Sequence, residues 1–257
     1  MRLLFVGDVV GRPGREALAR ALPELRQQEG PFDFVLANGE NAAAGFGLTE
    51  KVMNDLFSLG VACLTGGNHI WDKKEFIPVL GGESRVLRPA NYPPGCPGHG
   101  VAHLSNGRSR LAVVSLQGRA FMPPVDCPFR AADAIIEALE ERAVLVDFHA
   151  EATSEKWALF RHLDGRVSAV VGTHTHVATA DEEVLPGGTA VLTDVGMTGG
   201  HGGVIGMTTE TTLCRFLDAL PSKFAVCDTD LRLRGAVIDI DDETGRALAI
   251  RRVERRF

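Results

Sequence analysis

No stretch of this chain approaches the run of about 20 apolar residues that a membrane-spanning helix needs. At the N-terminus only Leu3 to Val6 form an apolar run before Asp8 interrupts, so no signal peptide is expected and a cytoplasmic protein is. The five cysteines are odd in number and widely scattered, and no pair has CxxC or zinc-finger spacing. That excludes a disulfide scaffold and points to reduced thiols. No block of like charges precedes the short basic end Arg251, Arg252, Arg255, Arg256, and the net charge is -6. Tight non-specific binding to long nucleic acid is therefore not expected. A small phosphorylated substrate stays open, because bound metal ions reverse the local potential. Internal repeats, low-complexity tracts and linkers are also lacking. So is the helical His-Glu-x-x-His signature of metallopeptidases.

What is present is an ordinary globular composition, 45% hydrophobic and 23% charged over 257 residues. One mixed α/β domain, residues 1–257, is the economical expectation. Apolar runs at Leu3–Gly7, Phe34–Ala37 and Val61–Thr65 read as strands, separated by a Leu18/Leu22/Leu25 helix and a helix capped at Thr49 and stopped at Gly60. Pro23 should kink or break the first helix. Asn106-Gly107 marks a hairpin turn. A helix is expected over Ala131–Arg142, strands over Ala143–Phe148, Val167–Val171 and Ala190–Thr193, a glycine-rich loop over Gly196–Gly206, and a C-terminal antiparallel pair.

The informative pattern is positional. Side chains that bind metals follow apolar strands five times: Asp8, then Glu40 and Asn41, then Asn68 and His69, then His149, then His174 and His176. Loops at the carboxyl ends of parallel strands converge on one crevice. Each residue alone has a plainer role. Asp8 can cap a segment, Asn38-Gly39-Glu40-Asn41 can be turn chemistry, and His149 can be a satisfied core histidine. All five coinciding favours one shared site. If His174-x-His176 is extended, alternation puts both imidazoles on one side. The donor mix of imidazole, carboxylate and amide argues against a closed structural zinc site. Three His, one Asp, one Glu and two Asn make seven ligands, which suit two ions roughly 3.5–4 Å apart better than one tetrahedral ion.

Gly7-Asp8, Gly67-Asn68-His69, the lone His149 and Gly172-Thr173-His174-Thr175-His176 resemble the ordered motifs of calcineurin-type metallophosphoesterases. Two departures stand out: Val10 where that pattern has a histidine, and Glu40 where it has an aspartate. Both are similar to one branch, the YmdB-like phosphodiesterases, as are His149 to Lys156 and Asp194 to Gly199. The likeness runs from Arg2 to about Phe216. It implies a β-sandwich of two mixed sheets flanked by helices, which the strand rhythm alone does not establish. It also implies two divalent or trivalent metal ions, iron or manganese first and zinc next. Asp8, Asn41 and His176 would hold one, Asn68, His149 and His174 the other, and Glu40 would bridge them. His69 would be a proton donor and not a ligand. The implied activity is hydrolysis of 2′,3′-cyclic nucleotides, and the implied assembly a homo-oligomer. A phosphomonoesterase or nuclease with the same metals, or a metal-binding regulator acting through a partner, are the alternatives.

Around these, Asp72 either orients His69 or caps the next helix. Asp194 either supports a ligand histidine or does not. Glu151 and Glu155 read as helix-start charges. Substrate contacts are expected from loops 89–100 and 117–129, including Arg119.

Overall fold

The computed structural model describes residues 1–221 and 223–257. In chain order the strands are β1 (Arg2–Val6), β2 (Asp8–Val9), β3 (Phe34–Asn38), β4 (Cys63–Thr65), β5 (Val101–Ser105), β6 (Arg110–Gln117), β7 (Val144–His149), β8 (Ala169–Thr173), β9 (Glu183–Val184), β10 (Ala190–Leu192), β11 (Met197–Gly200), β12 (Leu231–Ile240) and β13 (Ala247–Arg256). The α-helices are α1 (Gly11–Gln28), α2 (Glu50–Ser58), α3 (Ile77–Gly82), α4 (Pro128–Ala138), α5 (Thr153–Leu163) and α6 (Thr209–Asp218).

The strands make two mixed sheets among the described residues. The first has the order β2-β11-β12-β1-β3-β4, with β13 also paired to β12. The second has the order β5-β6-β7-β8-β10-β9. Within them β1, β3 and β4 run parallel to one another, as do β6, β7, β8 and β10.

Burial follows from side-chain alternation along each strand. Leu3 and Phe5 of β1 face the second sheet and pack with Leu145, Val171 and Leu192. Leu4 and Val6 face the other way, onto Leu18, Leu22 and Leu25 of α1. On the far side of the second sheet, Val146 and Phe148 pack against Leu159, Phe160 and Leu163 of α5. The layers are therefore helices, sheet, sheet, helices. Each fully buried aliphatic or aromatic side chain is worth about 1.5–3 kcal/mol, so the inter-sheet layer is the main glue.

Three local expectations need correction. Pro23 does not break α1; it sits on the exposed side, and the buried stripe from Ala17 to Leu25 carries the helix on to Gln28. The fourth helix spans Pro128–Ala138, not Ala131–Arg142: Leu139 turns extended, and Glu141 beyond it takes ion pairs with His103 at 3.1 Å and Arg110 at 3.0 Å. The glycine-rich stretch 196–206 is not all loop. It contains β11, which pairs in parallel with β2 and in antiparallel with β12.

That last pairing matters for position. Met197 stands opposite Asp8, so the chain leaving β1 is held in the sheet where Asp8 emerges. A side chain at Gly7 would place its Cβ 1.9 Å from the Gly196 carbonyl oxygen, so only glycine permits this approach.

Candidate metal centre

The carboxyl ends of β1, β3 and β4 in one sheet and β7 and β8 in the other meet along one edge of the sandwich. The residues that follow them meet as well. One ligand atom each from Asp8, Glu40 and His149 lie within 4.8 Å of one another, and all three residues are buried. Asn68 Oδ1 is 3.2 Å from His149 Nε2, and His174 Nδ1 is 3.1 Å from the same nitrogen. His176 Nε2 is 3.7 Å from Asp8 Oδ1 and 3.4 Å from Asn41 Nδ2. All seven residues expected as ligands thus converge.

Glu40 sits at the middle. Its Oε1 is 3.0 Å from His149 Nε2 and accepts from Asn41 Nδ2 at 3.3 Å. Its Oε2 accepts from the backbone N–H of His69 at 2.9 Å. Burial pushes the Glu40 carboxyl up, but the His149 imidazole together with His69 outweighs it and holds the group down at about 2. Asp8 is pushed the other way, up, because burial outweighs its histidine neighbours. Burial also pushes His174 down to about 3, helped by the charge on His149. Burial alone would lower His149, but Glu40, Asp8 and Asp147 together raise it to about 9.

The donor set fits cations. Asp8 Oδ1 and Asn41 Oδ1 are buried oxygens with no hydrogen-bond partner among the described residues, an arrangement that costs stability unless something positive faces them. His149 Nε2 meets Glu40, Asn68 and His174 at once. A single imidazole proton cannot serve three acceptors, whereas a cation among them can.

Supporting groups set the imidazole orientations. His149 Nδ1 lies 2.9 Å from Thr173 Oγ1, which in turn donates to Asp147 Oδ1 at 2.7 Å. The other Asp147 oxygen accepts from Thr65 Oγ1 at 2.5 Å and Asn38 Nδ2 at 3.0 Å. Burial raises the Asp147 carboxyl to about 6 in spite of these bonds. His176 Nδ1 donates to the Ile205 carbonyl at 2.9 Å, which turns Nε2 towards Asp8. A side chain at Gly67 would put its Cβ 2.1 Å from the His149 ring, so glycine lets the imidazole lie across the backbone.

The His174–His176 segment departs from expectation. It is not extended: His174 has φ 98° and His176 φ 65°. Both backbones are in the left-handed region, a cost of order 1–3 kcal/mol each for residues with a Cβ. Both rings still reach the site, through a turn rather than strand alternation. Asp194 holds that turn. Its Oδ2 accepts from Thr175 N at 3.2 Å, Thr175 Oγ1 at 2.8 Å and the buried Lys156 ammonium at 2.9 Å. Asp194 therefore supports the loop and touches neither ligand ring.

His69 lies beside the cluster, with Nδ1 2.7 Å from Asp72 Oδ2 and its ring edge-on to Phe46 at 4.9 Å. Asp72 thus orients His69. Glu151 is more than a helix-start charge, since its Oε2 is 3.2 Å from His174 Nε2. Glu155 instead accepts from the backbone of Arg119 and Ala120 and ties down that loop. A cavity of about 530 Å³ opens onto the site, walled by Phe46, Ile205, Met207, Phe216 and Phe224. The expected substrate loops 89–100 and 117–129 do not line it, and Arg119 is exposed elsewhere, beside Cys127. His201 does not line it either and faces the Met197 carbonyl.

Asn38, Thr173 and Lys156 stand inside motifs quoted from the sequence, but no supporting role was read for them, and Asp147 was missed altogether; its only signal was polarity inside an otherwise apolar strand. Sequence reasoning also missed α6 and the cavity wall, whose apolar residues come from several separate segments.

Two mixed sheets flanked by helices, with this edge cluster, define the metallophosphoesterase type of β-sandwich. A model of the family described as YmdB-like protein matches residues 4–253. A 2′,3′-cyclic-nucleotide 2′-phosphodiesterase of Bacillus subtilis is 50% identical over 255 residues, covering 98% of this chain and 96% of that protein. A Thermus thermophilus protein of known structure superposes with TM-score 0.94 at 46% identity, over 100% of this chain and 99% of the other. A Mycoplasma pneumoniae phosphatase structure also gives TM-score 0.94, at 31% identity, over 100% of this chain and 93% of that one. The chain belongs to the YmdB-like family. No helix among the described residues is long and apolar enough to cross a membrane.

Proposed function

We propose that this chain is a metal-dependent phosphodiesterase that opens 2′,3′-cyclic nucleotides, and that residues 1–257 act as one catalytic domain. The observation that carries this reading is the cluster itself: seven ligand-type side chains from five strand ends around buried, unpartnered oxygens. The kinship with a 2′,3′-cyclic-nucleotide 2′-phosphodiesterase supports the choice of substrate.

In this reading Asp8, Asn41 and His176 hold one ion, and Asn68, His149 and His174 hold a second. Glu40 would serve both, in keeping with its contacts to His149 on one side and Asn41 on the other. Iron or manganese suit this mix of oxygen and imidazole donors, and zinc is the next choice. When bound, such ions supply a water of lowered pKa and offset the charge of the phosphate.

The protein's own groups do the rest. The Asp72 carboxylate engages His69 Nδ1, so a protonated His69 gives its proton from Nε2. As the oxygen of a water molecule bonds to phosphorus, the bond from phosphorus to the 2′-oxygen breaks and that oxygen takes the His69 proton, because an unprotonated alkoxide leaves poorly. The product is then a 3′-nucleotide. His149, turned by Thr173, and His176, turned by the Ile205 carbonyl, keep the reacting phosphate oriented through fixed ligand positions.

The test is turnover of 2′,3′-cyclic AMP by protein reconstituted with manganese or iron, with the product isomer identified. The expected product is 3′-AMP. Metal-loaded protein that leaves the ester intact, or that yields only 2′-AMP, contradicts the reading.

A further inference from the structure

Two ends of the cavity beside the metal centre differ in character. One end carries Glu40, Asn41, His69, His174 and His176. The other is apolar. Aromatic rings run along it in sequence: Phe46 touches the His69 ring at 4.9 Å between centroids, and Phe224 follows at 6.2 Å from Phe46. Phe216 stands at the mouth with 79% of its surface exposed, and Ile205 is 54% exposed. Large apolar side chains left open to water at a cavity mouth usually mark a ligand contact. Among the described residues no lysine or arginine lines this cavity; Arg215 is stacked on Phe224 at 4.9 Å and is not part of the lining.

We infer that the wall formed by Phe46, Phe224 and Phe216 is the subsite for the base of a single nucleotide, and that substrates with further phosphates are excluded. This rests on the phosphodiesterase reading and deepens it. The geometry follows from the reaction. With phosphorus held at the ligand cluster and the 2′-oxygen at His69, the sugar must leave the cluster past His69. The ring next to His69 is Phe46, so the base passes onto the aromatic run. A flat heterocycle stacks on such rings regardless of which base it is. A second phosphate in the same space would lie against this apolar wall with no lysine or arginine among the lining residues to pair with it. Internal positions of RNA carry such phosphates on both sides, so they are poor substrates here.

The experiment measures kcat/KM for three esters with manganese-loaded protein. They are 2′,3′-cyclic AMP, 1,2-cyclic glycerophosphate, which has the same strained ester and no base, and 2′,3′-cyclic AMP bearing a 5′-phosphate. The first is expected to exceed the second by about 5- to 150-fold, the range that one base stacked on aromatic side chains supplies. It is expected to exceed the third by at least about 10-fold. In Phe216→Ala and in Phe224→Ala the preference for the first ester over the second should shrink, chiefly through KM for the nucleotide. Phe216 is exposed, so its replacement leaves the fold intact. An unchanged preference in both variants, or faster turnover of the 5′-phosphorylated ester, overturns the base subsite while leaving the phosphodiesterase reading in place. No turnover of any of the three esters overturns both.

Discussion

Lys156 and Asp194 form an ion pair of 2.9 Å with both side chains buried, next to the His174–His176 turn. The ammonium also donates to the Thr173 carbonyl at 3.0 Å, and the carboxylate takes both donors of Thr175. The pair therefore clamps the turn on both sides of His174, offsetting the strain of its left-handed backbone.

Removing one partner of a buried pair strands the other charge, at a cost of about 3–5 kcal/mol. Lys156→Met is expected to lose that much stability in urea unfolding of the metal-free protein. A loss under about 1 kcal/mol would show that the pair does not hold the turn.

His69→Ala should keep its metal and lose about 10²- to 10⁴-fold in kcat for 2′,3′-cyclic AMP. Its Nδ1 faces Asp72, and only its backbone N–H reaches Glu40, so removing the ring leaves the proposed ligands untouched. Elemental analysis with steady-state kinetics checks both halves. Undiminished turnover removes His69 from the reaction.

Much of the candidate site was legible in the sequence because ligand-type side chains at strand ends are local facts. Asp8, Asn68 and His149 each come at or just after the end of an apolar run, and the run alone says where the strand ends. The convergence of the two sheets was not legible from periodicity, since alternation reports which face is buried and not what it packs against. The same limit hid Asp147 and Thr173, whose polarity is neutralised by partners more than 20 residues away. The turn at His174 looked extended because its left-handed angles are imposed by Asp8 and Asp194, distant in the chain. The apolar cavity wall draws on Phe46, loop 204–207, α6 and Phe224, separate segments whose meeting no local pattern reports.

Glu40→Ala should lose at least one metal ion per chain, since its carboxylate touches members of both proposed ligand groups. The Glu40→Gln variant keeps the shape and loses the charge, so it separates packing from coordination. Metal content equal to that of the parent protein in both variants refutes the bridging role.

Metal binding should be strongly pH-dependent. With its pKa raised to about 9, His149 is protonated at neutral pH in the metal-free protein. A cation at Nε2 must displace that proton, so affinity falls as pH drops below about 9, by up to tenfold per unit for this one group, and flattens above it. The same raised pKa stabilises the metal-free fold below the ordinary histidine value of 6.5, and that contribution is lost as pH climbs through about 9. Titration calorimetry with manganese at pH 7.5, in two buffers of different ionisation enthalpy, should reveal about one proton released at this site. Heat that does not depend on the buffer contradicts the assignment.

The most direct test is an anomalous-scattering map from crystals of manganese- or iron-loaded protein. The expected result is two peaks at the junction of the sheets, one flanked by Asp8, Asn41 and His176, the other by Asn68, His149 and His174, with Glu40 reaching both. Ions bound anywhere else, or none at this edge in fully loaded crystals, would contradict the account.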